Sequence, residues 1–331
     1  MPSVLQRHPR YALLSAFLLL ATFLLLASHQ TPMTYIYSAE GADWVKDRVA
    51  ISERIYQKTL MEREGLIRKF GPTPDKITSF PPDEEPWPPY TLWDFFPAAF
   101  NCPHEIERIG ALGDGGKWVC GMSRVVTKPD CIIYSVGINH ESSFEAELLS
   151  RTDNCQVWGY DFSVHEFGPE VQDSPALLRR AHFKPYGLAG TNAHGPEDTN
   201  KMYTLQSLMA LNGHSHIDIL KVDIESWEFE TLTTLLRSYM VEDQPLPFGQ
   251  LQLEIHVWDK KFPEMLKWWE TLEDAGLRPF WTEPNLVYAN YNRGGSPELA
   301  EYSFLNIRGN NIFISNEEFE RARKVRHGPR E

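Results

Sequence analysis

The segment Ile217 to Trp227, reading Ile-Asp-Ile-Leu-Lys-Val-Asp-Ile-Glu-Ser-Trp, constrains the fold more than any other part of the chain. Its apolar and β-branched residues predict a buried strand, and Asp223 and Glu225 fall where that strand gives way to a helix. In an open α/β sheet ligands bind outside the carboxyl ends of the parallel strands, so acids at such a junction face a crevice. Acids also favour helix N-termini, and simple capping is the structural alternative. The flanking sequence supports the crevice, because it keeps alternating strand and helix as a doubly wound fold requires.

That alternation can be followed through the chain. Cys131 to Gly137 reads as a first strand, followed by a helix over Ser143 to Ser150 and by strands at Gln156 to Asp161 and His182 to Leu188. Met202, Leu205, Leu208 and Met209 share a helical face before the Ile217 strand, and Phe229, Leu232, Leu235 and Leu236 repeat the spacing after it. Gln250 to Trp258 alternates and then turns polar, which gives a fifth strand. An amphipathic helix over Phe262 to Ala275 ends at Gly276. Strands near Arg278 to Trp281 and Tyr302 to Ile307 close a mostly parallel seven-stranded α/β sheet with helices on both faces.

Ahead of this domain, Tyr11 to Ala27 carries no charge and is nearly all Leu, Ala and Phe. Arg7 and Arg10 precede it and no Lys or Arg follows until Lys46, so the positive-inside rule predicts a cytoplasmic tail at 1–10 and a signal anchor at 11–27. A cleaved signal peptide, ending at Leu25-Leu26-Ala27, is the alternative. A stem and a Pro-rich linker then fill 28–89, with Val45, Val49, Tyr56 and Leu60 as a weak helical stripe, and the folded domain occupies 90–331. The expectation is a single-pass type II membrane protein of the endoplasmic reticulum or Golgi with a lumenal domain. Four cysteines suit that oxidising compartment. Cys102 and Cys120 flank a Gly-rich loop and are the expected pair; Cys131 and Cys155, which open neighbouring strands, either pair or are buried thiols. The net charge of -13 argues against a broad nucleic-acid surface.

The chemistry concentrates at strand ends. Tyr134-Ser135-Val136-Gly137-Ile138-Asn139 places a glycine at the first strand's turn, where a ligand approaches the backbone or another strand packs closely. Trp158-Gly159-Tyr160-Asp161-Phe162 places an acid about 20 residues later, the offset of a carboxylate that accepts hydrogen bonds from a ribose diol. A nucleoside held between Gly137 and Asp161 would point its reactive end at Asp223, Glu225, Glu254 and His256.

Thr204-Leu205-Gln206-Ser207-Leu208 followed by Ile217 to Glu225 resembles the signature of FkbM-type S-adenosylmethionine-dependent methyltransferases. With Gly113-Asp114-Gly115-Gly116-Lys117-Trp118-Val119-Cys120, Tyr134 to Ile138 and Trp158 to Asp161, the chain is similar to the methyltransferase-like protein 24 family over about Cys102 to Ile307. The resemblance implies a Rossmann-like class I methyltransferase fold with one antiparallel strand in the last hairpin, and S-adenosyl-L-methionine as cofactor. It implies that Val136, Gly137 and Ile138 lie under the cofactor, that Asp161 and Phe162 hold its ribose end, that Gly187 and Leu188 lie near the adenine, and that Asp223 approaches the methionine end. The chain departs from the pattern in two places: Ser135 to Glu141 replaces the usual Gly-rich first loop, and Ser226 stands where FkbM-type sequences carry glycine.

Methyl transfer to a hydroxyl needs alignment and a proton acceptor, and His256 and Glu225 are the candidate bases. Glu254, Asp223 and His256 also suit a divalent metal, although their spacing does not demand one and none is expected. The expected partners are thus a small-molecule cofactor and an unidentified acceptor. Two other functions compete. A Golgi-type glycosyltransferase would use Asp223-Ile224-Glu225 to hold a nucleotide-sugar metal, and a binding module would keep the fold with a degenerate cofactor site.

Overall fold

Seven strands in the order β10-β11-β9-β8-β3-β4-β5 form the central sheet of the computed structural model. It describes residues 22, 43–87, 89–293 and 295–324. The expected tail and anchor at 1–27 lie outside the described residues, residue 22 apart, and no helix among the described residues is long and apolar enough to cross a membrane.

In chain order the elements are α1 (Trp44–Phe70), β1 (Ile106–Ile109), β2 (Lys117–Cys120), α2 (Met122–Thr127), β3 (Ile132–Val136), α3 (Ser143–Arg151), β4 (Gln156–Tyr160), α4 (Pro169–Gln172), α5 (Pro175–Leu178) and β5 (Ala181–Lys184). They continue with β6 (Tyr186–Leu188), β7 (Lys201–Tyr203), α6 (Leu205–Asn212), β8 (Ile217–Val222), α7 (Glu228–Val241), β9 (Phe248–His256), α8 (Phe262–Asp274), β10 (Leu277–Pro284), α9 (Leu286–Tyr291), β11 (Leu299–Asn306) and α10 (Asn316–Lys324). β3, β4, β5, β8 and β9 pair in parallel, while β11 runs antiparallel to both β9 and β10. This is the mostly parallel sheet with one antiparallel hairpin strand that the sequence leads one to expect.

Successive residues of each strand point to opposite faces, and each face has its own core. Tyr134 and Val136 of β3 with Leu220 and Val222 of β8 enter the core that holds Leu232, Leu236, Met265 and Trp269. Ile133 and Ile219 enter the other, with Phe144 and Leu148 of α3. With both faces covered, every residue of β8 and β9 is buried, which is why these strands read as near-continuous apolar runs. Each large apolar side chain buried in this way stabilises the fold by about 1.5–3 kcal/mol.

Two local expectations change. The strand expected over His182 to Leu188 is two strands: Pro185 has no N–H to give to the ladder, so β5 ends at Lys184 and β6 leaves to pair with β7. Met202 therefore lies in β7 and not on a helix; α6 begins at Leu205, where the Thr204 side chain accepts the Ser207 N–H as an N-cap.

The expected division between a stem at 28–89 and a domain from 90 also differs from what is seen, since the compact unit runs from Val45. Helix α1 buries Val45, Ser52, Tyr56, Thr59, Arg63 and Ile67, spaced as one helical stripe. Arg63 donates from Nη1 and Nη2 to the two oxygens of Glu273 on α8 at 2.9 and 2.7 Å, and from Nε to the Phe95 carbonyl at 2.8 Å. Tyr56 and Trp269 donate to Glu273 as well, at 2.5 and 2.8 Å. The helix is thereby fastened to the sheet's helical layer.

Both cysteine pairs are disulfides, Cys102–Cys120 and Cys131–Cys155. The first closes a loop with a sequence separation of 18 and ties the β1–β2 hairpin to its entry segment; loop-closure entropy gives such a bond about 3 kcal/mol. The second joins the residues preceding β3 and β4.

Candidate active site

The sheet order reverses between β3 and β8, and the crevice at the carboxyl ends of these strands is where an open α/β sheet binds ligands. Gly137, Asp161, Asp223 and His256 stand at or next to the carboxyl ends of β3, β4, β8 and β9 respectively. Gly137 has φ 81°, and a Cβ there would overlap the Asp223 carbonyl oxygen. Its glycine is required by the close packing of two strand ends, which is the structural alternative considered for this position. Val136 and Ile138 point into the cores, so neither side chain faces the crevice.

On the β4 side, Asp161 is buried and closes the loop after β3. Its Oδ2 accepts the Ile138 and Asn139 N–H groups at 2.9 and 2.8 Å, and its Oδ1 accepts the Ser163 N–H and hydroxyl, both at 2.7 Å. Burial alone would raise the Asp161 pKa, but the Ser163 hydroxyl and the three amides hold it below the usual carboxylate range. Phe162 is 44 % exposed beside it. Gly187 is packed so that a Cβ would lie 2.5 Å from the Met202 sulfur and 2.8 Å from the Phe162 ring. Leu188 is buried in the core.

The β8, β9 and β11 side is a cluster of charge. On β9 the alternation places Gln250, Gln252, Glu254 and His256 on one face, and the β1–β2 hairpin covers it. Gln250 accepts the Cys120 N–H and donates to the Cys120 carbonyl at 2.9 and 2.6 Å, and Gln252 donates to the Trp118 carbonyl at 3.0 Å. This stitching lays Lys117 among the acids. Glu301 of β11 stands opposite Glu254 in register, a like-charge pair that is unfavourable without a cation. Lys117 supplies one by donating to Glu301. Burial would lower the Lys117 pKa, but the Glu301, Asp223 and Glu254 charges raise it further.

Glu254, buried and facing Asp223 and Glu301, is pushed up to about 9, first by burial and then by those two charges. Asp223 shifts the other way: burial would raise it, but Lys117, Lys221 and His256 hold it down. The Asp223–Glu254 pair therefore shares one proton, which rests on Glu254. His256 is also carried to about 9. Burial opposes its charge, but the Glu228 hydrogen bond and charge, with those of Glu254 and Asp223, prevail. Glu228 accepts from the His256 backbone N–H at 2.7 Å and contacts Nδ1 at 3.2 Å. Glu225 projects to solvent with its side chain 72 % exposed, and its Oε2 is 3.7 Å from His256 Nε2. Its backbone and that of Ser226 adopt φ 53° and 72°, the left-handed region that glycine prefers.

Sequence reasoning brought Asp223, Glu225, Glu254 and His256 together, and the structure does the same. It missed Lys117, Asp114, Glu301 and Glu228. Gly113-Asp114-Gly115-Gly116-Lys117 was visible as a motif, but only the hairpin's docking on β9 shows which way Lys117 faces.

Residues 76–295 match the family model described as "Methyltransferase domain". A rat protein described as "Probable methyltransferase-like protein 24" is 28 % identical over 142 residues, covering 41 % of this chain and 36 % of that protein. The human protein of the same description is 28 % identical over 144 residues, covering 41 % and 35 %. The chain thus aligns with about a third of the length of these curated relatives. Among solved structures, methyltransferase FkbM from Methylobacillus flagellatus is 13 % identical with a TM-score of 0.31, covering 53 % of this chain and 44 % of that one. Methanococcus jannaschii fibrillarin is 10 % identical with a TM-score of 0.32, covering 61 % and 98 %. The family match spans both the crevice after β3 and the Asp223 to His256 cluster, and on that ground the chain belongs to the methyltransferase-domain family.

Proposed function

We propose that the protein binds S-adenosylmethionine over the ends of β3 and β4 and directs its methyl group to an oxygen or nitrogen acceptor held in the acidic chamber beside it. The observation that carries this reading is the division of one crevice into two chemistries. An acid fixed by backbone amides at the end of β4 lies on one side, and a set of incompletely paired ionisable groups on the other.

The residues on the β4 side fit the cofactor with one exchange. Asp161 already accepts four hydrogen bonds, and the Ser163 hydroxyl is the one a ribose hydroxyl can replace without breaking the loop. The exposed Phe162 ring beside Gly187 offers a flat apolar surface for a base, and the ionised Asp223 suits an ammonium group. When bound, the cofactor's sulfonium supplies an activated methyl group. The chain's own task is to align the acceptor and receive its proton. His256 is poorly suited to that task in the structure described, because Glu228, Glu254 and Asp223 favour its protonated form. Glu225 is better placed: its side chain reaches the chamber mouth, and its pKa is raised by partial desolvation of the carboxyl and by the Asp223, Glu228 and Asp114 charges, against the pull of His256. In the ion-free chain we assign it the proton and give His256 an electrostatic role.

Calorimetric titration of the full chain with S-adenosylmethionine and S-adenosylhomocysteine, in chelator, tests the reading. Micromolar binding that is lost in Asp161→Ala is the expected result; binding that survives the substitution removes Asp161 from the site. One observation favours a second reading, a non-catalytic module on a methyltransferase fold: Asp161 is fully satisfied internally. Silence with both ligands supports that reading, and binding only of a nucleotide sugar with manganese supports glycosyl transfer.

The compartment is part of the proposal. Two disulfides support a secretory location with the domain lumenal, and the anchor at 11–27 would hold it at the membrane. Protease treatment of sealed microsomes should leave residues 45–324 intact; digestion of that region without detergent sinks the placement.

A further inference from the structure

We infer that Asp223, Glu225 and His256 form a binding site for one divalent cation of the Mn2+ or Zn2+ type at the acceptor end of the crevice. The three residues offer one ligand atom each, all within 4.8 Å of one another. His256 Nε2 lies 3.7 Å from Glu225 Oε2 and 3.9 Å from Asp223 Oδ1, with Glu254 Oε2 at 4.0 Å. Ligands about 2.1 Å from an ion stand about 3 to 4 Å from each other, so the spacing leaves room for one.

The second observation is the state of the imidazole. His256 is 1 % exposed, and its ring is fixed from behind by Glu228, itself fully buried, at Nδ1. Among the described residues no hydrogen bond reaches Nε2, which points into the three carboxylates at distances too long for one. A carboxylate holding one ring nitrogen so that the other faces an ion is the usual support of a metal-bound histidine.

The adjoining acids sharpen the contrast. Asp114, Glu254 and Glu301 also gather within 4.8 Å, but that set has its own cation in Lys117. Lys221 is turned away, donating to the Gly137 carbonyl at 2.6 Å and standing 3.9 Å from Glu145. Among the described residues His256 is the one cationic side chain in ion-pair contact with Asp223 and Glu225, and the Lys117 and Lys221 charges reach Asp223 only from farther away. Their exposure, 24 % and 72 % for the side chains, leaves the ion a way in and positions open to an acceptor. One imidazole and two carboxylates suit Mn2+ or Zn2+ better than Mg2+. The ion's role toward an acceptor rests on the methyl-transfer reading: it would hold a hydroxyl or carboxylate oxygen and make a hydroxyl more acidic.

The test is titration of the full chain with Mn2+ alone, followed by electron paramagnetic resonance, and with Zn2+ alone by calorimetry, both without cofactor. One equivalent per chain is expected, weakened at least tenfold in Asp223→Asn and His256→Ala. Glu225→Gln should weaken it similarly, and because that side chain is exposed the variant keeps its fold, checked by circular dichroism. No saturable equivalent, or an affinity unchanged in Asp223→Asn and Glu225→Gln, overturns the site. Cofactor binding is measured in chelator and ion binding without cofactor, so either result fails without the other.

Discussion

Two of the clusters of buried charge in this domain are built differently. In the first, at the junction of α1 and α8, the Glu273 carboxylate receives Arg63 through a fork of two bonds, with the Tyr56 hydroxyl and the Trp269 N–H completing its shell. In the second, at the carboxyl ends of the sheet, Glu254 is driven toward its neutral form, while among the described residues Glu301 Oε2 is buried without a hydrogen-bond partner and His256 Nε2 stands 3.7 Å from Glu225 Oε2, beyond hydrogen-bond distance. The first is closed and serves architecture. The second is open, and its deficit of partners is what a ligand would supply.

Removing a partner separates the two. Arg63→Ala leaves a buried carboxylate without its paired guanidinium, and the expected loss is about 3–5 kcal/mol in urea unfolding. A loss below about 1 kcal/mol would mean that the closed cluster contributes little and that the contrast fails.

Acid titration asks whether the half-buried His104 behaves like either cluster. His104 is lowered to about 4, first by burial and then by the Arg124 charge, despite the Phe313 carbonyl that favours its charged form. Between pH 6.5 and about 4 the unfolded chain binds a proton that the folded chain refuses, so stability falls as pH drops through that window and levels off below it. The fall is at most about 3 kcal/mol, and thermal melts of His104→Gln should lack it. If the acid slope persists in that variant, His104 is not its source.

Asp161→Asn probes the cofactor side at smaller cost. The amide nitrogen cannot accept, so two loop donors lose their partner, for about 1–3 kcal/mol in denaturant melts. The smallest effect belongs to the open cluster. Glu254 carries a proton at neutral pH, and glutamine has the same shape and still accepts from Asn285, which donates to Oε1 at 2.7 Å. Glu254→Gln should change stability by less than about 1 kcal/mol. A loss as large as that of Arg63→Ala would show the open cluster to be structural.

The sheet was readable because β8 and β9 are covered on both faces and their apolar runs say so; Asp161 was readable because a strand end fixes its distance from Gly137. Lys117 and Glu301 were not. They come together through the register that sets Glu301 against Glu254 and through a hairpin docked by two glutamines, and neither relation leaves a local trace. Helix α1 was visible as a helix, but its docking was hidden because Ser52, Thr59 and Arg63 share the buried stripe with Val45, Tyr56 and Ile67. A stripe that is half polar does not stand out by hydropathy.

Ser226 sits in a backbone conformation that glycine adopts freely and other residues adopt at a cost of order 1 kcal/mol. A chain refined for persistence alone would carry glycine there. Serine has fewer backbone states open to it than glycine, so at this position it restricts the turn that carries Glu225, one position earlier. Laboratory evolution for heat tolerance would be expected to replace this serine first, and to blunt the site as it did so.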